Sequence, residues 1–200
     1  ANVLYALGDL DGAMHLYLES ERVCLQSGDK DGLETSLGNQ AVILRARGDL
    51  DGAEMLYDRC EKICRELGKM DALSATLGNH ALIKAIHGQY ELALKMHRED
   101  ERICRDLGNR EGVQRALGNQ GLILYELGDQ AGALTLHAQE EKICRELGLR
   151  EGLQRSLGNQ ARIHYSRGKL EEAMSLHKEE ERICREIGCR DGLQRSLGNQ

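Results

Sequence analysis

An all-α solenoid of stacked helix pairs is the fold class that this sequence predicts, and three observations carry the prediction. The tripeptide Leu-Gly-Asn recurs every 40 residues, at Leu37-Gly38-Asn39, Leu77-Gly78-Asn79, Leu117-Gly118-Asn119, Leu157-Gly158-Asn159 and Leu197-Gly198-Asn199. A fixed period of this size marks one supersecondary unit copied along an axis. Within each period apolar residues fall at helical spacing. The chain has no proline, so every helix stop has to be written with glycine.

Residues 31–70 show how one period is built. Its first helix carries Leu33, Leu37, Ala41 and Leu44 at i, i+4, i+8 and i+11, a single apolar stripe. Asp31 is the expected N-cap. Gly48 stops this helix, as Gly8, Gly88, Gly128 and Gly168 do in the other copies. An aspartate often follows, as in Gly48-Asp49 and Gly128-Asp129, which suits a tight turn into the next helix. The second helix carries Leu50, Ala53, Leu56, Tyr57, Cys60, Ile63, Cys64 and Leu67 on one face. Gly68 closes it, matched by Gly28, Gly108, Gly148 and Gly188. Each helix is expected to run ~16–18 residues, or about 25 Å. Two antiparallel helices per repeat give ten segments, so residues 1–200 read as one solenoid of five periods. Both ends are cut at the same phase inside a helix, which reads as a window on a longer array.

Composition narrows the function classes. Apolar residues make up 40% and charged residues 30%, a globular rather than a disordered balance. Aromatics are only 3%, with no Phe and no Trp, so the core must be made of Leu, Ile, Ala and Met. A net charge of −6 argues against a nucleic-acid partner, because binding phosphates needs a dense basic face. No run of 18 apolar residues is present to span a membrane.

The small Ala41, the turn glycine Gly48, the small Ala53 and Tyr57 recur as Ala81, Gly88, Ala93 and His97, and as Ala161, Gly168, Ala173 and His177. In the fourth copy Gly121, Gly128, Ala133 and His137 take those places. This pattern resembles the tetratricopeptide repeat in a longer, 40-residue form, and the resemblance covers the whole chain. Two departures stand out. Leu37 replaces the usual bulky aromatic of the first helix, and glycine replaces the usual proline after the second.

The resemblance implies a right-handed superhelix whose first helices line the inner, concave surface. It places Asn39, Asn79, Asn119, Asn159 and Asn199 on that side. A row of Asn amides spaced by one repeat looks like the asparagine ladder with which some family members hold an extended peptide. Each amide offers donors and an acceptor, so it matches a peptide N–H and C=O without reading a side chain. Arg115, Arg155 and Arg195 stand one turn before the Asn, where earlier copies have Thr35 and Ala75. Tyr125 and Tyr165 lie further along the same helix with Tyr5, where the other copies have Arg45 and Ala85. Arg and Tyr are common at interface hot spots, so an acidic segment or a C-terminal carboxylate is a reasonable guest.

The glycines of the tripeptide lie mid-helix, where Gly costs roughly 0.8–1 kcal/mol against Ala. Their repetition points to a steric reason: a neighbouring helix or a partner backbone comes close there. A structural alternative stands beside the ligand-binding one throughout. Asn can bond a neighbouring helix, Gly can serve helix packing, and Arg can pair with Glu on its own face.

Other constellations look chemical without implying chemistry. Cys24, Cys64, Cys104, Cys144 and Cys184 recur once per period. Helices pack at about 8–10 Å, too far for thiols of successive repeats to form disulfides. Free, small and half-buried is the expectation, and an unpaired thiol row points to a reducing, cytoplasmic compartment. Cys60 and Cys64 have no His at ligand spacing, so no metal and no cofactor is implied. His97, His137 and His177 stand where Tyr17 and Tyr57 stand, which points to packing with one polar tip. Every candidate catalytic residue is copied along the array, whereas an active site should occur once. Glu141 with Arg145 and Glu181 with Arg185 read as ordinary i, i+4 surface pairs.

The expected function is a protein-interaction scaffold holding an extended peptide along the concave face. The alternative is a structural repeat protein assembling head-to-tail into a filament, since ends of matching phase would expose Leu193 and Leu197.

Overall fold

The computed structural model describes residues 1–198; Asn199 and Gln200, and the side chains of Asp191 and Arg195, lie outside the described residues. Two residues of the expected binding row, Asn199 and Arg195, are therefore not placed. Eleven helices follow one another among the described residues, with no strand. They are α1 (Asn2–Ala6), α2 (Leu10–Ser27), α3 (Lys30–Ala46), α4 (Leu50–Leu67), α5 (Met70–Ile86), α6 (Tyr90–Asp106), α7 (Arg110–Glu126), α8 (Gln130–Leu147), α9 (Arg150–Ser166), α10 (Leu170–Ile187) and α11 (Arg190–Gly198). The first helices of the repeats, α3, α5, α7 and α9, all have 17 residues. The second helices α2, α4, α8 and α10 have 18. Eleven rather than ten arise because α1 matches the last residues of a first helix and α11 the opening of another.

The turns explain this regularity. Ten glycines from Gly8 to Gly188, spaced by 20 residues, take φ between 68° and 85°. The left-handed conformation costs other residues about 1–2 kcal/mol, so glycine is the residue the turn requires. At the ends of α2, α4, α8 and α10 the glycine N–H donates to the carbonyl of Cys24, Cys64, Cys144 or Cys184. The residue just after the glycine becomes the next N-cap. Carboxylates of Asp9, Asp29, Asp49 and Asp129 and the Asn109 amide oxygen each accept from a glycine N–H three residues on. This corrects the expected cap of α3, which is Asp29 and not Asp31. Asp31 lies in the first turn and instead pairs with Lys69 Nζ at 2.6 Å.

The chain divides into two compact units, Ala1–Ile103 and Cys104–Gln200. Consecutive helices pack on each other within each unit. In unit 1, Ala41, Ala53, Tyr57 and Ile83 form one buried cluster, and Ala13, Tyr17 and Ile43 another. In unit 2, Cys104, Val113 and Leu117 form one buried cluster, and Cys144, Leu153, Leu157 and Ile183 another. Alanines on both sides of the turn are fully buried and let the paired helices approach closely. In the copy that has Gly121, a Cβ would fall 2.8 Å from the His137 ring.

Three of the mid-helix glycines, Gly78, Gly118 and Gly158, have a neighbour to accommodate, and that neighbour is a carboxyl group of the following helix. A Cβ on Gly118 would lie 2.6 Å from Glu140 Oε1, and one on Gly158 2.7 Å from Glu180 Oε1. Gly78 meets Asp100 at 3.1 Å in the same way. Asp100, Glu140 and Glu180 are all buried. Gln114 Nε2 donates to Glu140 at 2.6 Å and Gln154 Nε2 to Glu180 at 2.7 Å. His137 Nδ1 and His177 Nδ1 lie 3.0 Å from the second oxygen of the same carboxyl groups. Such groups are tolerated inside a protein when their hydrogen-bonding capacity is met. Unit 1 varies the theme: Ser74 donates to Asp100, while the first copy has Cys60 opposite Glu34.

Two outcomes follow for stability. Gly38 has no neighbour nearer than 3.8 Å, so Gly38→Ala should raise stability by up to about 1 kcal/mol through helix propensity. Gly118→Ala and Gly158→Ala make the same substitution against a held carboxyl group and should lower stability by about 1–3 kcal/mol. Urea denaturation midpoints of the three variants give the signs. His97 is fully buried, and burial pushes its pKa down to about 4, below the roughly 6.5 of an exposed imidazole. Its contribution is therefore present above pH ~6.5 and lost as pH falls toward 4, because the unfolded chain takes the proton first. His97→Tyr, which matches Tyr17 and Tyr57, should flatten stability against pH in that window by up to about 1.4 kcal/mol per pH unit.

Candidate functional site

The first helices carry the expected binding residues, and the two units present them differently. In unit 1, Asn39 and Asn79 are half-buried on α3 and α5. Asn39 Nδ2 donates to the Thr35 carbonyl at 2.9 Å, and Asn79 Nδ2 to the Ala75 carbonyl at 3.0 Å. This bond to the preceding turn uses one amide hydrogen and fixes the side chain along its own helix. It leaves the amide oxygen and a second N–H for another partner. Neighbouring positions are occupied within the unit, since Lys84 Nζ bonds Glu54 at 2.6 Å.

Unit 2 adds charge and aromatic surface. Arg115 on α7 and Arg155 on α9 are exposed, and among the described residues neither stands in an ion pair. Together with Glu111, Gln114, Leu149 and Gly152 they line a cleft of about 420 Å³ beside the turn at Gly148. Asn119 and Asn159 follow on the same helices and are half-buried. Beyond them the Arg162 guanidinium stacks over the Tyr125 ring, 4.3 Å from its centroid. Such a cation–π contact holds both side chains in a defined orientation. Tyr165 is 63% exposed. In unit 1, Tyr5 is likewise exposed.

Two of the structural alternatives are thereby decided. Gly78, Gly118 and Gly158 make room for a neighbouring helix's carboxyl group, and the space there is filled from within the protein. Arg115 and Arg155 are not absorbed by carboxylates of their own face. Arg162 was not part of the expected site. Its signal is present in the sequence: it stands 37 residues after Tyr125, one repeat less three, on the next first helix.

The remaining constellations have structural accounts. Six cysteines are buried, more deeply than the half-burial expected, Cys189 is partly exposed, and none of the seven is in a disulfide. Burial pushes the Cys60 and Cys144 thiols up to about 12 and Cys64 to about 11, which suppresses the reactive thiolate. No group of three or more His, Cys, Asp or Glu side chains is placed to hold a metal ion among the described residues. Arg145 pairs with Glu141 at 2.8 Å, and Arg185 with Glu181 at 2.6 Å, as i, i+4 pairs. Arg145 also reaches Glu179 on the next second helix at 3.0 Å, and Arg65 reaches Glu99 at 2.9 Å. No helix among the described residues is long and apolar enough to cross a membrane.

Comparison with known proteins agrees with this architecture. A tetratricopeptide-repeat family model matches residues 35–59. A search of curated proteins finds no match in sequence. Among solved structures, BtubC (BKLC) from P. vanneervenii superposes with a TM-score of 0.82 at 20% identity, covering 94% of this chain and 78% of that one. Aspartyl phosphate phosphatase F from Bacillus subtilis gives 0.86 at 15% identity, covering 96% of this chain and 51% of its own. The nearly identical TPR-like repeats of a putative kinesin light chain from Podosopora anserina give 0.76 at 16% identity, covering 94% and 92%. At these identities the likeness is one of fold. The helix pairs, their recurring small-turn-small spacing and the match at residues 35–59 together give the chain a tetratricopeptide-repeat-like α-solenoid fold.

Proposed function

We propose that the chain is a protein-interaction scaffold whose first helices hold an extended, acidic segment of a partner protein, with unit 2 supplying most of the affinity. The repeat type supports a scaffold in general. The observation that carries the finer reading is the exposed pair Arg115 and Arg155, one repeat apart and outside any ion pair among the described residues. Guanidinium groups in that state favour carboxylates, with which they form two parallel hydrogen bonds. Asn119 and Asn159 follow one turn later on the same helices and offer amides to the backbone of the same segment. Tyr125 and Tyr165 supply flat apolar area at low entropic cost. The proposed role is binding without catalysis, in a reducing compartment that keeps the buried thiols free.

The energies rank the contributions. A neutral hydrogen bond adds only about 0.5–1.5 kcal/mol, whereas one to a charged group adds about 1.5–3 kcal/mol. The arginines should therefore dominate and the asparagines tune. Fluorescence anisotropy against a pool of labelled 12-residue peptides, half of them acidic, provides the test. The intact protein should retain acidic peptides, with affinity falling as salt rises. Arg115→Ala with Arg155→Ala should weaken them about 10- to 100-fold, and Asn119→Ala or Asn159→Ala about 2- to 10-fold. Arg65→Ala, in the ion-pair network with Glu61 and Glu99, should leave binding unchanged. Selection of neutral peptides, or equal loss from Arg65→Ala, would sink the reading.

A further inference from the structure

The stack of Arg162 on Tyr125 joins two departures from the repeat. At the position of Arg162 the other copies have Asn2, Val42, Leu82 and Leu122. At the position of Tyr125 they have Tyr5, Arg45, Ala85 and Tyr165. The residue 37 places after Tyr5 is Val42, after Arg45 it is Leu82, and after Ala85 it is Leu122. Only Tyr125 finds an arginine at that distance along the chain.

Arg162 is exposed and, like Arg115 and Arg155, stands in no ion pair among the described residues. Stacking occupies one face of the guanidinium. Its N–H groups lie in the plane, around the edge, and stay open to an acceptor. The ring also holds the side chain before any ligand arrives, so a carboxylate that meets Arg162 does not have to order it first.

The helix places this group in line with the arginine site already described. Arg155 and Arg162 are seven residues apart on α9, two turns, so both lie on one exposed face with Cα atoms about 10 Å apart. Asn159 stands between them, half-buried. On α7 the same stripe reads Arg115, Asn119 and Leu122, with a single charge. An extended segment of the polyproline II type rises about 3.1 Å per residue and repeats its side-chain direction every third residue. Two of its side chains three residues apart therefore point the same way with about 9 Å between them, close to the separation of the two arginines.

We propose that Arg162 determines specificity by binding a second carboxylate of the partner segment, three residues away from the one bound at Arg155. The segment runs along α9 with Asn159 beneath its middle. Its recognition element is an acidic residue, two residues of free choice and another acidic residue. Tyr125 is the positioning residue that holds Arg162 in place. This inference rests on the reading of Arg115 and Arg155 as a carboxylate site.

The test uses the intact chain and three labelled 12-residue peptides in fluorescence anisotropy. One peptide has two glutamates three residues apart, the second is an isomer with the glutamates adjacent, and the third replaces one glutamate of the first with glutamine. The spaced peptide should bind about tenfold more tightly than either of the others. Arg162→Leu, which restores the leucine of Leu82 and Leu122, should bring the spaced peptide to the affinity of the glutamine peptide and leave the latter unchanged. Tyr125→Ala should weaken the spaced peptide about threefold more than the glutamine peptide, and Tyr125→Phe should retain wild-type binding because the ring remains. Circular dichroism should report an unchanged fold in each variant. Equal affinity for the spaced peptide and its isomer, or equal loss of the spaced and glutamine peptides in Arg162→Leu, overturns the proposal. With all three peptides still sensitive to Arg115→Ala and Arg155→Ala, either of those results leaves the scaffold reading in place. Failure of all three peptides to bind overturns both.

Discussion

Because glycine holds φ between 68° and 85° at each turn, every helix ends at the same place in its repeat and the next begins at the same phase. No proline and no bulky residue could do this at so little cost, since the left-handed region is closed to one and strained for the other. Helix lengths of 17 and 18 residues follow from the spacing of those glycines. The N-caps follow as well, because the first residue after the glycine is the one whose side chain can reach back to the helix start. Once length and phase are equal in each copy, equivalent side chains face equivalent neighbours. Everything else in the structure uses that equivalence.

The packing between the two helices of a repeat uses it in an unusual way for a core. Where the helices meet, a glycine on one side and a carboxyl group on the other fill the same space. The pairs Gly118 with Glu140 and Gly158 with Glu180 differ little in geometry. In each, a glutamine donates to one oxygen and a histidine nitrogen stands by the other. A glycine here loses helix propensity, and the carboxyl group loses hydration; the hydrogen bonds offset the second loss. The acidic member changes sides along the chain. It is Glu34 opposite Cys60 in the first copy, and then Asp100, Glu140 and Glu180 opposite Ser74, Gln114 and Gln154. One acid per repeat is kept, while the helix that carries it is not fixed.

The periodic part of this was open to reading from residues alone. Leu37, Ala41, Ala53 and Tyr57 fall on buried faces because 3.6-residue spacing translates directly into one side of a helix. The cap of α3 was misplaced by two residues, because Asp29 and Asp31 are both acceptable caps and only the conformation of Gly28 decides between them. The steric partner of the tripeptide glycine could not be read, since it lies 22 residues further on and is Cys60 in one copy but a carboxyl group in others. Of the site, the sequence located the helix face and the Arg and Tyr positions. It did not show that Arg115 and Arg155 stay outside ion pairs while Arg65 and Arg145 enter them. That distinction depends on which carboxylate the neighbouring helix brings within 4 Å, a property of packing rather than of period.

In a repeat protein the conserved period describes what holds the chain up, so specific function has to reside where copies differ. Arg115 and Arg155 replace Thr35 and Ala75 on an exposed position, where a change of residue alters no buried contact. The candidate binding site lies in unit 2, where the copies agree most closely in their buried carboxyl, glutamine and histidine groups. The more regular core gives the departures on its surface a rigid base, and a fixed base is what lets two arginines one repeat apart select a ligand by spacing as well as by charge.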